Sequence, residues 1–361
     1  MYRMVYPFMV VFARGLGVDV SVVATAVAAR SALGLAAPLL GSSADRSGRK
    51  RGMLTGLVVF VAGTLLVVFR PTLPAFVAAL LLSGAGKMMF DPAMQAYLGD
   101  IVGYRQRGLA IAVTEMGWST AFLLGVPAVG WIIARRGWPA AFPWIAAAGV
   151  IVALALWRIL PADGDRPSAT TSLGEGFRRI VSHRAALAGL AMSLILSAAN
   201  ESVNIVFGVW LESAFALQVA ALGAAAAVIG LAEVSGESLV ALIADRVGKR
   251  RAVAGGILMN CIACLLLPRI STSSAGALVA LFFFYLSFEF TVVSSIPLMT
   301  ELVPAARATL MSGNIAAFSA GRAAGAAVGI AVFTSTIAPN ASVAIALDLI
   351  GLAVLAAWVR D

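Results

Sequence analysis

Seven carboxylates and four bases stand in stretches of the chain that are otherwise apolar. The acids are Asp91, Glu115, Glu201, Glu233, Glu237, Glu289 and Asp348; the bases are Arg3, Arg30, Lys87 and Arg322. An ionisable group in an apolar span is costly, so it faces a cavity or a partner. Burial disfavours the charged form of a carboxyl. A carboxyl that alternates between water and an apolar setting therefore takes up and releases a proton, which is the chemistry needed to couple transport to a proton gradient. Lys87 and Asp91 are i, i+4 and pair on one helix face, either for function or only to neutralise each other. Glu201 and Glu289 have no basic neighbour in their own stretches, and Asn200 and Asn204 flank Glu201 with hydrogen-bonding capacity.

Depth follows from spacing. Lys87 precedes Asp100 by 13 residues and Glu289 precedes Glu301 by 12. Both then lie about 18–20 Å from one membrane face, near the midplane. Glu115 follows Arg107 by eight residues and Glu237 precedes Asp245 by eight, which puts both roughly 12 Å above the same face. These two carboxylates share a proton if they meet, with Glu233 one turn from Glu237; otherwise they bond to local hydroxyls such as Thr114 and Ser235. Arg30 and Arg322 also fall at matched depth and would repel if they met, so acids or an anionic solute are expected beside them. Asp348 reads as less deeply placed. Cys261 and Cys264, as C-I-A-C without further ligands, read as packing residues, and His183 stands alone in a polar loop. The chain carries no phosphate-binding loop, H-E-x-x-H or G-x-S-x-G motif, so the reading is no enzyme, no ATP-driven pump, no metal and no cofactor, with a proton gradient as the energy source.

The elements that must position these groups are membrane spans. Hydrophobic residues make up 61% of the 361 and charged residues 12%, about half the ~25% charge of soluble domains. A span takes about 20 apolar residues and twelve take roughly 240, which leaves short connections and no room for a sizeable soluble domain. Twelve apolar segments run near 1–18, 20–44, 52–70, 74–99, 106–134, 138–160, 185–210, 216–244, 252–268, 275–300, 306–335 and 340–359. The first is short and carries Arg3; either it is truncated at its cytoplasmic end or the true start lies upstream. With the N-terminus in the cytoplasm, 17 of the 26 Lys and Arg fall in inner connections or at the inner C-terminus and five at the outer face. That bias sets the orientation and explains the net charge of +9 without nucleic acid. Trp138, Trp157, Trp210 and Trp358 fall at span ends, as interfacial anchors do.

The polar stretch 161–184 is a cytoplasmic linker between residues 1–160 and 185–361. The two halves repeat. ADRSGRKR, with Asp45, Arg46, Gly48 and Arg49, is matched 200 residues later by ADRVGKRR, with Asp245, Arg246 and Gly248. Asp100 with Arg107 is answered by Glu301 with Arg307 at nearly the same offset. A parallel repeat of six-span halves is a transporter architecture.

D-R-x-G-R-K after Gly41 resembles the signature loop of the major facilitator superfamily. FDPAMQAYLGDIVGYRQRG is similar to the end of that family's fourth helix with its following loop, and GWSTAFLLGVPAVG to the Gly-Pro motif of its exporters, here Gly125-Val126-Pro127. The second loop copy has Ala241 at the Gly position. The resemblance implies an all-α membrane protein with twelve transmembrane helices in two six-helix bundles. It also implies that helices 1, 4, 7 and 10 line a central cavity, which makes Arg3, Lys87, Asn200 and Asn204 substrate-cavity residues, with Arg322 of the eleventh segment counted among them. Glu201, Glu289, Asp91, Glu115 and Glu237 become the proton-coupling set. Gly41, Asp45, Arg46, Gly48, Arg49, Asp100, Arg107, Asp245, Arg246 and Gly248 form a conformational latch at the inner face, the alternative being a plain positive-inside anchor. Asp45 can cap a neighbouring helix N-terminus, and the basic run can pair with acids such as Asp100.

The expected function is a proton-coupled secondary transporter for a small organic or amphipathic solute, with export favoured. The alternatives are uptake of a small metabolite, or a transport-inactive scaffold or sensor. The expected partners are the lipid bilayer, the solute and protons, in a multi-pass monomer of the plasma (cell inner) membrane with both termini cytoplasmic.

Overall fold

The two copies of the repeated loop turn alike. Gly48 has φ 97° and Gly248 φ 93°, a region that side chains with a Cβ rarely enter, and each is followed at once by a helix. A computed structural model describes residues 3–36, 48–101, 114, 117–161, 178, 180–303 and 307–358, with the backbone alone at 95, 96, 99–101, 245, 301 and 307–309. Gly41, Asp45, Arg46, Arg107 and Glu115 lie outside the described residues, as do the side chains of Asp100, Asp245, Glu301 and Arg307.

The helices are α1 Met9–Leu16, α2 Val20–Ala32, α3 Arg49–Phe69, α4 Leu73–Ile101, α5 Val126–Arg136, α6 Ala141–Ile159, α7 Arg184–Asn204, α8 Phe207–Phe215, α9 Val219–Val247, α10 Lys249–Ile270, α11 Ser274–Leu302, α12 Arg307–Val332 and α13 Ala338–Trp358. Among the described residues, ten runs are long and apolar enough to cross a membrane, and α1 with α2 forms a further pair bent by 116°. The protein is an all-α membrane protein.

Local chemistry explains several boundaries. The first predicted span is helical only from Met9, and Arg3 lies in the turns before it. Those eight helical residues reach about 12 Å, short of a bilayer core. Gly17, at φ 68°, ends α1. Asp19 caps α2 by accepting from the Ser21 N–H at 2.8 Å. Hydrogen bonds from the hydroxyl and backbone of Ser21 hold its carboxyl below the ordinary value. In the helical run Gly117–Arg136, a π-turn over Ala121–Gly125 leads into α5. Pro127 near the start of α5 cannot donate to the preceding turn and crowds it, and a wider turn relieves both. The seventh span breaks between α7 and α8.

The two halves are built to one plan. In the first, α3 packs on α4 and α6; in the second, α10 packs on α11 and α13. Lys50 donates to the Leu160 carbonyl at 2.6 Å, and Arg250, 200 positions on, donates to that of Ala356 at 3.0 Å. The repeated basic loop thus caps the C-terminal carbonyls of α6 and of α13, where a cation is favoured. The halves meet where α5 and its π-turn lie on α9, and where α2 lies on α12. Trp157 and Trp358 are exposed as anchors should be, but Trp138 and Trp210 are buried. Trp138 packs with Phe12, Phe76 and Phe142 in a cluster with ring centroids 5.0–6.5 Å apart. Its neighbours are aromatic side chains rather than lipid headgroups.

Candidate functional site

Arg3 is buried and ion-paired with Glu233 of α9, in the other half of the chain. Its guanidinium carbon stands 4.3 Å from the ring centroid of Trp118 and 4.4 Å from that of Phe122. Lys87 pairs with Asp91 on α4, and its Nζ lies 4.4 Å from the same Trp118 ring. One indole therefore holds two cations, each neutralised by its own carboxylate. The ring quadrupole attracts both without adding charge.

Around this core a set of acids assembles. Glu237, one turn from Glu233, accepts from Ser119 Oγ at 3.1 Å across the half-to-half contact. The sequence reading offered Ser235 as its local hydroxyl, but that side chain donates to the Leu231 carbonyl of its own helix. Glu289 on α11 has Glu233, Arg3, Glu237 and Arg322 as its charged neighbours. Three carboxylates from α9 and α11 thus converge where Arg3 enters from the first half.

Glu201 belongs to a second, adjoining group. It is fully buried and accepts from Asn204 Nδ2 at 3.1 Å, while the Tyr285 hydroxyl donates to Asn204 Oδ1 at 2.6 Å. Its charged neighbours are Arg322 and Arg30, and it faces the Tyr6 hydroxyl, which accepts from Arg30 at 3.2 Å. The acid expected between the two arginines is Glu201. Asn200 is buried, and its side-chain oxygen has no hydrogen-bond partner among the described residues. Asp348 departs from its expected shallow place. It sits at the middle of α13, is 2% exposed, and accepts from Asn260 of α10 at 2.7 Å.

Arg3, Lys87 and Asp91 line a cavity of about 420 Å3, with Phe60, Phe90 and Trp118 among its walls. Asn200, Asn204 and Arg322, expected to share a cavity with Arg3 and Lys87, do not line this one. They lie with Glu201 on the second-half side. Cys261 and Cys264 are buried free thiols, and no metal-binding cluster occurs among the described residues.

Sequence reasoning missed Trp118, Tyr285, Tyr6 and Ser119. Trp118 and Ser119 lie within the quoted exporter-like stretch, but nothing in their spacing shows that the ring stands beside Lys87 or that the hydroxyl reaches α9.

A family model described as Major Facilitator Superfamily matches residues 1–205. The chain is 28% identical over 308 residues to the uncharacterized MFS-type transporter YceJ of Bacillus subtilis, covering 82% of this chain and 76% of that protein. Among solved structures, it is similar to a POT family transporter in complex with a thioalcohol-conjugated peptide (TM-score 0.79, 13% identity, 98% of this chain and 91% of that one). It is also similar to a D-xylose-proton symporter (TM-score 0.77, 14% identity, 100% and 93%).

Proposed function

Because the chain belongs to the major facilitator superfamily, we propose that it is a proton-coupled secondary transporter for a small organic or amphipathic solute, with export favoured. Transport across a membrane goes with that membership; the coupling ion, the solute and the direction are our reading. The observation that carries it is the Arg3–Glu233 pair, set among Glu237 and Glu289 at the contact of the two halves.

A proton on Glu233 removes the charge that holds Arg3. The freed guanidinium stays on the Trp118 and Phe122 rings and turns to the nearest remaining anion, either Glu289 or a group on the solute. The contact of the first segment with α9 then loses its ionic tie, and one half can rock on the other. Release of the proton restores the tie. Glu201, held by Asn204 and faced by Arg30 and Arg322, can store a proton on the second-half side in the same way. The walls of the 420 Å3 cavity suit an apolar body with one polar group, within the ~300–1,000 Å3 of small-molecule sites. Export is supported by the Gly125-Val126-Pro127 stretch that resembles the exporter motif. The expected location is the plasma membrane, as a monomer.

The test is proton flux in proteoliposomes carrying an internal pH dye, across a panel of small organic and amphipathic compounds. Glu233→Gln, Glu289→Gln and Glu201→Gln are compared with the unaltered chain. Loss of compound-evoked proton flux in at least one supports the reading, and full coupling in all three overturns it.

A further inference from the structure

Helix α11 carries the site on one side and a separate polar chain on the other. Tyr285 and Glu289 are one turn apart and face the site. Ser287 lies about 200° round the helix from Tyr285. There its hydroxyl is 2.9 Å from Asn260 Oδ1 on α10, and Asn260 Nδ2 donates at 2.7 Å to Asp348 on α13. The three side chains are 1–2% exposed. A carboxylate only accepts, so the Asn260 amide is held with its nitrogen toward Asp348 and its oxygen toward Ser287. The Ser287 hydroxyl is also within 2.9 Å of the Phe283 and Phe284 carbonyls, so Asn260 is the acceptor that ties it to another helix. One turn from Asn260, α10 comes so close to α11 that a Cβ at Gly256 would stand 3.0 Å from the Phe290 ring and 3.1 Å from Thr291 Cα.

We propose that Asp348 is a positioning residue that acts through Asn260 and Ser287 to set the rotation of α11, and so the placement of Tyr285 and Glu289 in the site. Apolar helix surfaces in lipid have little to choose between neighbouring rotations, because the tails are as apolar as the side chains. A buried hydrogen bond has one good geometry and a high cost when broken. An acid, an amide and a hydroxyl from three helices therefore index α11 where smooth packing alone would let it turn. In functional terms this rests on the reading of Glu289 as part of the transport site.

The test reads the placement of position 289 directly. Glu289→Cys is labelled with N-ethylmaleimide in the full-length protein, with the labelling of the parent chain subtracted. Lys87→Cys, on α4 of the other half, is the control. Adding Asp348→Leu should slow labelling at 289 by about ten-fold, the change expected for one buried hydrogen bond. Labelling at the control should stay within about two-fold of its own rate. Asp348→Asn, which still accepts from Asn260, should restore the parent rate. Unchanged labelling at 289, equal slowing at both positions, or an Asp348→Asn variant as slow as Asp348→Leu would each overturn the proposal. If Asp348→Leu does not yield a monodisperse protein, Ser287→Ala replaces it under the same criteria. Should Glu289→Gln retain proton coupling while labelling behaves as expected, the part given to Glu289 in the transport site fails and the positioning of α11 stands.

Discussion

Arg3 and Glu233, 230 positions apart in sequence, are ion-paired across the contact of the two halves, both buried, with the guanidinium beside the Trp118 and Phe122 rings. The sequence marked Glu233 as an intramembrane acid one turn from Glu237, and Arg3 as a cavity residue in a short first segment, but nothing in it joined the two. Their pairing makes the half-to-half contact ionic at its centre.

Breaking this pair from one side should cost more than removing it whole. Arg3→Gln or Glu233→Gln alone leaves a buried charge without its partner, a loss of ~3–5 kcal/mol for a buried pair. The double variant leaves two neutral amides and should recover much of that. Thermal unfolding of the four proteins in one detergent, read as a double-mutant cycle, checks this; additive shifts would contradict it.

Trp118 should couple energetically to Lys87. A cation over an indole face contributes about 0.5–2 kcal/mol. Trp118→Leu combined with Lys87→Met should therefore destabilise by less than the sum of the two single changes. Trp118→Phe, which keeps a ring, should lose less than Trp118→Leu. The measurement is again the thermal midpoint in detergent.

The crossing of α9 over the π-turn should tolerate no added carbon. A Cβ at Gly230 would stand 2.6 Å from the Leu123 backbone nitrogen, whereas one at Gly255 meets nothing within 4 Å. Gly230→Ala should lower the unfolding temperature through overpacking, which costs ~1–3 kcal/mol. Gly255→Ala should raise it slightly, since alanine favours a helix over glycine by up to about 1 kcal/mol. Shifts of the same sign would refute the contrast.

Stability should depend on pH through the Asp19 cap. The folded carboxyl titrates below its ordinary value because Ser21 donates to it. Its contribution is therefore present in full above the ordinary carboxylate range and is lost as pH falls through the lowered folded value. At neutral pH Asp19→Ala should melt below the unaltered protein, Asp19→Asn should lie nearer to it, and the gap to Asp19→Ala should close in strong acid.

Much of the frame was readable in the chain itself. The third, fourth, sixth and eighth to twelfth segments agree with the helices to within a few residues, because partition into lipid sums over the residues of one segment. The repeat was equally legible, and Gly48 and Gly248 turn alike because each loop carries its own glycine. The first span and the seventh were not. Helix α1 starts at Met9, two residues after Pro7, and the seventh run breaks after Asn204, at the end of the polar stretch 200–204; the sequence reading used neither signal to place a boundary.

The amino-acid sequence alone determined that this is a membrane protein of two repeated halves with acids and bases near mid-depth. Apolar length, loop charge and local turns are properties of single segments. Only the tertiary structure decided who meets whom. Arg3 pairs with Glu233, Trp118 receives two cations, and Glu237 takes a hydroxyl from Ser119 rather than from its own helix. Asp348 ties to α10 instead of facing lipid. Those choices depend on how each helix is rotated and tilted against all the others, and a residue's spacing along its own helix carries no information about that rotation until the neighbours are in place.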